Sequence, residues 1–376
     1  MSRLLRHVRS RILLPAALLA AVPSPALLNI DGTKNQIFVF GGVTFAHSSN
    51  IFSQRDGEGD YTVTAHAGAD LKRRAGIISV DSTARIDYVR YGEFSDENTF
   101  NPRFSVDFSK TTGRTTGVLK LSAYRETRSD SAVNLRTSSW NVPVEFSFKY
   151  PINEKLYVTS ATSYLRRSYS DSAAALVDYT DYTEAVDLYY IYTSKLDLFA
   201  GYRFRSSRTS DAGRSLDHWF SLGATGGLFS KMSGTVRMGY QVRDVRGGDQ
   251  FGQMNAMASV NWPVTRKLLV SLQGARDFST IATGSSVDAS SLALNGLYTY
   301  SSKLDFNAVV SAGRNKFLAD TFARHDTFFS WETGVRYRMN EHLQMGASYV
   351  YLRNWSVLDQ ADFDNHGFSF DVTSRY

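Results

Sequence analysis

The sequence predicts an all-β fold, a transmembrane antiparallel up-and-down β-barrel of about 18 strands with short turns at one end. Three observations predict it. Apolar residues recur with a period of two along most of the chain. Short turns alternate with longer polar segments. Aromatic residues recur where strands enter the short turns.

The period is clearest in four stretches. Trp140, Val142, Val144, Phe146, Phe148 and Tyr150 alternate with Asn141, Pro143, Glu145, Ser147 and Lys149. Leu304, Phe306, Ala308, Val310 and Ala312 alternate with Asp305, Asn307, Ser311 and Gly313. Met254, Ala256, Ala258, Val260 and Trp262 do the same, as do Ile78, Val80, Ala84, Ile86 and Tyr88. Successive side chains of a strand point to opposite faces, so each stretch has one apolar and one polar face. Short turns fall at 72–76, 110–114, 151–155, 194–195, 230–233, 263–267, 301–303 and 340–342. Longer polar segments fall at 48–59, 91–99, 128–136, 169–179, 207–216, 245–250, 279–288, 317–325 and 355–364. Turns 192–198 and 300–306 share one pattern, which is hairpin repetition and carries no propeller signature.

The first residues read differently. Arg3, Arg6, Arg9 and Arg11 precede an apolar run from Ile12 to Val22, followed by Ser24, Pro25 and Ala26. The run is far shorter than the roughly 20 residues a spanning helix needs, and the small residues suit a signal peptidase. The expected organisation is a signal peptide at 1–26, a periplasmic linker at 27–36 and a barrel at 37–376. The whole chain carries 42 basic and 36 acidic side chains; removing the four arginines leaves 38 against 36. The basic balance therefore belongs to the leader and gives no argument for nucleic acid as a partner. With no Cys, disulfides and thiolate metal sites are excluded.

A soluble sandwich also alternates, and two further features favour lipid. Tyr150, Tyr192, Phe229, Trp262, Tyr300 and Tyr337 recur at the short-turn ends, as an interfacial aromatic girdle on the periplasmic side would. Phe368, Phe370, Val372 and Tyr376 alternate up to the last residue, resembling the C-terminal signal read by the barrel-assembly machinery. A ring of about 18 strands is wide enough to leave an aqueous lumen. The polar face must then line it, with Arg85, Arg103, Asp107, Lys120, Glu145, Asp187, Arg203, Arg237, Asp305, Glu332, Arg336 and Asp371 as candidates. Acids and bases are near balance, so the expected wall is hydrophilic, solvated and roughly neutral.

No catalytic constellation is present. The seven His are scattered, none at metal-ligand spacing, and no G-x-S-x-G occurs, so neither a metal nor a cofactor is expected. Gly223 to Leu228 is Gly-rich but lies in a strand and opens no helix, and Arg246 to Gly248 is a loop tip. Arginine clusters at the loop ends of strands: Arg90, Arg125, Arg128, Arg136, Arg166, Arg167, Arg205, Arg208, Arg243, Arg246, Arg276, Arg314, Arg324 and Arg353. Arg276 and Arg314 fall on the apolar parity, which sets them at headgroup level. Outward members suit the phosphates of outer-membrane lipid and lipopolysaccharide, inward ones an anionic solute.

Phe45-Ala-His-Ser-Ser-Asn-Ile-Phe52, then Asp60-Tyr61, then Arg85-Ile-Asp-Tyr-Val-Arg-Tyr91 resemble the outer-membrane beta-barrel porin 2 family. His-Ser stands where an acid often precedes the Asn. The resemblance implies an integral barrel of the bacterial outer membrane. It also implies association with exopolysaccharide biosynthesis, the barrel being an exit port served by periplasmic polysaccharide-export components. No catalytic residue carries over. A general diffusion porin and a structural or adhesive outer-membrane protein are the alternatives. The first would need a long constriction loop and the second long sticky loops, and the loops here are short.

Overall fold

The computed structural model describes residues 28–30, 35–74, 76–130, 135–170, 176–211, 213–248, 250–318 and 324–376. The expected signal peptide lies outside these residues. A short strand β1 (Leu28–Ile30) precedes the long strands. In chain order these are β2 (Asn35–Ser48), β3 (Asp60–Arg73), β4 (Ser79–Tyr91), β5 (Thr99–Lys110), β6 (Thr116–Asp130), β7 (Leu135–Pro151), β8 (Leu156–Tyr169), β9 (Tyr179–Ile191) and β10 (Leu196–Thr209). There follow β11 (Arg214–Phe229), β12 (Met232–Val245), β13 (Gln250–Pro263), β14 (Leu268–Thr280), β15 (Ser286–Thr299), β16 (Leu304–Phe317), β17 (His325–Arg338), β18 (Leu343–Ser356) and β19 (Phe363–Arg375).

Each long strand pairs antiparallel with its sequence neighbours, and β19 pairs with β2. The ring of β2–β19 is therefore closed, with no free edge whose backbone groups would be left unpaired in lipid. The closing seam runs from Ser48↔Gly367 to Phe40↔Arg375 and continues in reciprocal backbone hydrogen bonds between Val39 and Tyr376. Beyond that point β1 pairs with the start of β2, so β2 begins in the stretch expected to be a linker. The strands run 12–17 residues, more than the roughly 9–11 that cross a bilayer, so they project beyond it.

The register assigns the two faces. Contacts between strands that are not neighbours in the ring must cross its interior. Arg203 on β10 reaches Asp277 on β14, and Arg237 on β12 reaches Asp187 on β9, so the face carrying these residues is the inner one. The opposite parity carries Phe45, Phe104, Phe146, Leu222, Met254, Leu294, Trp331 and Phe370, all exposed. Large apolar side chains turned outward in such number make a belt for lipid.

The six turn-end aromatics are all exposed. Five lie on the outer parity directly. Phe229 does so through a bulge between Gly227 and Phe229, which flips the parity of the last residues of β11. Gly226 makes the bulge possible: its φ is +119°, and a Cβ there would sit 2.2 Å from the carbonyl oxygen of Lys195. Arg114 lies over Tyr150 and Lys267 over Tyr300, bringing their charges to the level of the rings.

Candidate functional site

All the lumen candidates read from the sequence share the inner parity. Along neighbouring strands Arg85 faces Arg103, Asp107 faces Lys120, and Lys120 faces Glu145. Asp305 faces Arg336 on β17, the strand that also carries Glu332 on this face, and Asp371 faces Gly346. Some pair locally. Arg85 binds Asp87 at 2.7 Å, Asp305 binds Arg338 at 2.5 Å, and Lys120 stands 3.6 Å from Glu145 with both side chains exposed. Near the turn end, Phe38 is flanked by Lys72 and Arg375, and Arg375 binds Asp70 at 2.7 Å.

On β9–β14 the wall differs from the expected row of solvated charges. Here the inner side chains pack into a buried network. Asp217 is 1% exposed and accepts from Arg205 Nε at 2.6 Å and from Arg243 Nε at 2.6 Å. Arg243 is 0% exposed and also donates to the Ser279 carbonyl and the Ser286 hydroxyl on the far side. Arg203 and Arg205 both reach Asp277, and Arg205 donates to the Phe278 carbonyl. Arg237 binds Asp187 at 2.6 Å. Asn255 and Gln241, both buried, fill the space between.

Such reach requires a bent wall. An even ring of 18 strands about 4.8 Å apart and tilted about 40° would hold β10 and β14 roughly 23 Å from each other. An Arg–Asp pair joined at 2.8 Å spans little more than half of that. Gly201, Ser221, Gly239 and Asn255 face one another in one inner row across β10–β13. A Cβ on Gly201 would lie 1.8 Å from Asp187 Oδ1, so this glycine makes room for the ion pair. Above the bend the loop ends meet: Val177 N–H donates to the Ala282 carbonyl at 2.9 Å. The lumen is narrowed by the side chains of its own wall.

Aromatic rings lead up to this network from the turn end. Tyr157 stacks on Tyr189 at 4.6 Å, and Tyr189 meets Phe199 at 4.8 Å. Arg237 lies over Phe199 at 4.5 Å and Arg203 over Trp219 at 4.3 Å. Lys149 caps the lower end over Tyr157 at 3.5 Å. Trp219 Nε1, Gln241 Nε2 and Asp187 Oδ1 have no partner in this packing.

The sequence points to Asp187, Arg203 and Arg237 on this face, and Asp187 and Arg237 pair with each other, but it does not single out Asp277, the partner of Arg203, or Asp217. Asp217 and Asp277 sit on the polar parity of β11 and β14, so parity alone could have found them. Arg205 and Arg243 were grouped with the rim arginines, and their burial shows only in the closed ring. The inner aromatics were missed because an aromatic residue within a polar parity reads as a register fault.

The stretch that carried the family resemblance serves the outer end of the closing seam. Buried Asn50 binds the Asp364 carbonyl, Ser48 binds Asn365, and buried Asp60 accepts the N–H groups of Tyr61, Glu93 and Phe94. These contacts tie the loop after β2 to β19 and the loop after β4 to the start of β3. Along the length of the last strand Phe368, Phe370, Val372 and Tyr376 lie on the outer parity.

Residues 219–376 match the family described as “Putative beta-barrel porin 2”; the resembling residues 45–52, 60–61 and 85–91 lie outside that span. No curated protein matches the chain. Among solved structures it is similar to the outer-membrane protein OpdK of Pseudomonas aeruginosa, determined with vanillate. That match has a TM-score of 0.51 at 10% identity over 90% of this chain and 99% of that one. Pseudomonas aeruginosa OpdO gives a TM-score of 0.50 at 11% identity over 91% and 97%. The FrpB iron transporter of Neisseria meningitidis gives 0.50 at 10% identity over 87% of this chain, which spans 62% of the FrpB length. At this identity the structures speak for the fold. A closed barrel with an apolar outer belt and a porin-family match is a protein of the bacterial outer membrane.

Proposed function

We propose that the barrel is a translocation channel for a secreted polysaccharide and carries out no reaction of its own. The observation that supports this is the inner wall away from the buried network, where the charged side chains of Arg85, Lys120, Glu145 and Arg375 stand open to the lumen. Sugar hydroxyls hydrogen-bond to such charged groups, which also keep the lumen wetted. A chain of similar units can move between equivalent contacts without leaving the wall. The family resemblance points the same way. In this reading, periplasmic export components deliver the chain at the turn end, where Asp70, Arg338, His342 and Arg375 line a recess of about 360 Å³. The outward Phe368, Phe370, Val372 and Tyr376 serve assembly by the barrel-assembly machinery.

The test is blockade of single channels in planar bilayers. Neutral and acidic oligosaccharides of increasing length should give blockades that lengthen with chain length, and replacing Lys120 and Glu145 together by Ala should shorten them at least several-fold. Blockades independent of length and of Lys120 and Glu145 would favour the second reading, a diffusion channel for small hydrophilic solutes. The bent, ion-paired wall gives that reading its support, because such a wall screens solutes by size.

A further inference from the structure

The outer wall carries a polar stripe on β8–β10 that the channel does not use. Register aligns Arg166, Thr180 and Arg208 in one row, and Tyr164, Tyr182 and Ser206 in the row below. All lie on the outer parity. Two strand spacings separate Arg166 from Arg208, about 10 Å.

The height of the row follows from the strand. Tyr190 is exposed on the outer parity of β9, close to the turn-end girdle. The ten residues from Tyr190 up to Thr180 rise about 25 Å at roughly 3.3 Å each on a strand tilted about 40°, the height of the apolar band of such barrels. Arg166 and Arg208 thus stand at the boundary between acyl chains and headgroups of the outer leaflet.

Both arginines are exposed, and among the described residues neither is held by a carboxylate. A recess of about 310 Å³ opens at them, lined also by Ser168, Thr180 and Ser210. Its one acid, Asp178, is engaged with the backbone N–H of Tyr169. The same spacing recurs at Arg276, Ser290 and Arg314, but there Asp288 holds Arg276 at 2.8 Å. The pair on β8 and β10 is the one left open to an outside anion.

We infer that Arg166 and Arg208 form a binding site for a phosphate-bearing glycolipid of the outer leaflet, its phosphate between the two guanidiniums and its acyl chains down the wall past Tyr164 and Tyr182. Guanidinium forks bind phosphate oxygens bidentately, and the anion is bound where the membrane itself presents it.

Native mass spectrometry of the folded barrel in mild detergent, with lipid A bearing two phosphates as the probe, tests this. Wild-type protein should retain the lipid, and R166Q/R208Q should retain at least tenfold less. R114Q, at the opposite end, should behave as wild type. R166K and R208K, which keep the charge but lose the fork, should fall between, and they carry the test if the double variant does not fold; heat-modifiable migration on gels reports folding. Equal retention by the folded double variant overturns the site. So does equal retention of dephosphorylated lipid A by wild type. Displacement of the lipid by inorganic phosphate at the same concentration would assign the arginines to free phosphate and overturn the lipid.

Discussion

Replacing Asp217 by Asn removes the one carboxylate that holds both Arg205 and Arg243. Its effect can be worked from the burial. Arg243 is 0% exposed and Arg205 is largely buried, so neither guanidinium can turn to water. Breaking a buried ion pair from one side costs about 3–5 kcal/mol, because the remaining charge is left uncompensated. Arg205 keeps Asp277, and Arg243 keeps Ser279 and Ser286, so a value near the lower end, about 3 kcal/mol, is expected. Glu145→Gln provides the contrast. Its partner Lys120 is 3.6 Å away and the side chains are 51% and 57% exposed, so the loss should stay below about 1 kcal/mol. Equilibrium unfolding of the detergent-folded barrels in denaturant measures both. The same barrels in planar bilayers should show higher and noisier conductance for Asp217→Asn, since the network pins β10–β12 to β14 and β15. Equal losses for the two variants would refute the reasoning, because they would mean that water reaches Asp217 as freely as Glu145.

Other outcomes follow from the same geometry. Arg237→Glu places like charges together at Asp187 and should impair folding, and the exchange R237D/D187R should restore part of the loss; thermal melts of the refolded variants decide. Gly223→Ala brings a Cβ to 2.3 Å from Phe199 Cζ and 2.5 Å from the Val236 carbonyl, an overpacking worth about 1–3 kcal/mol in the same unfolding assay. Val144→Arg or Phe146→Arg on the outer face should lower membrane insertion yield, at about 2–4 kcal/mol for arginine near the midplane. In the loop after β10, the Thr209 hydroxyl donates to Asp211 at 2.5 Å and holds its carboxyl below the ordinary value. A depressed carboxyl stabilises above its unfolded value and loses that contribution as pH falls. Thr209→Val should therefore raise the Asp211 titration midpoint seen by NMR.

The sequence by itself determined the class, the strand count, the two ends and the inside–outside parity. These depend on the period of two and on turn chemistry, which are local. Val144 and Phe146 face out and Glu145 faces in whatever the rest of the ring does, because one backbone step turns each side chain over. The six turn-end aromatics were legible for the same reason, although Phe229 reaches the surface only through the bulge at Gly226. Tertiary structure alone decided which charges stay in water. Lys120, Glu145, Arg205 and Asp217 all sit on the inner parity and are alike in one dimension. The closed wall brings side chains of β10 within reach of β14 and buries the second pair, while the first stays exposed. Curvature arises from packing between strands far apart in the chain, and no periodicity within a strand encodes it.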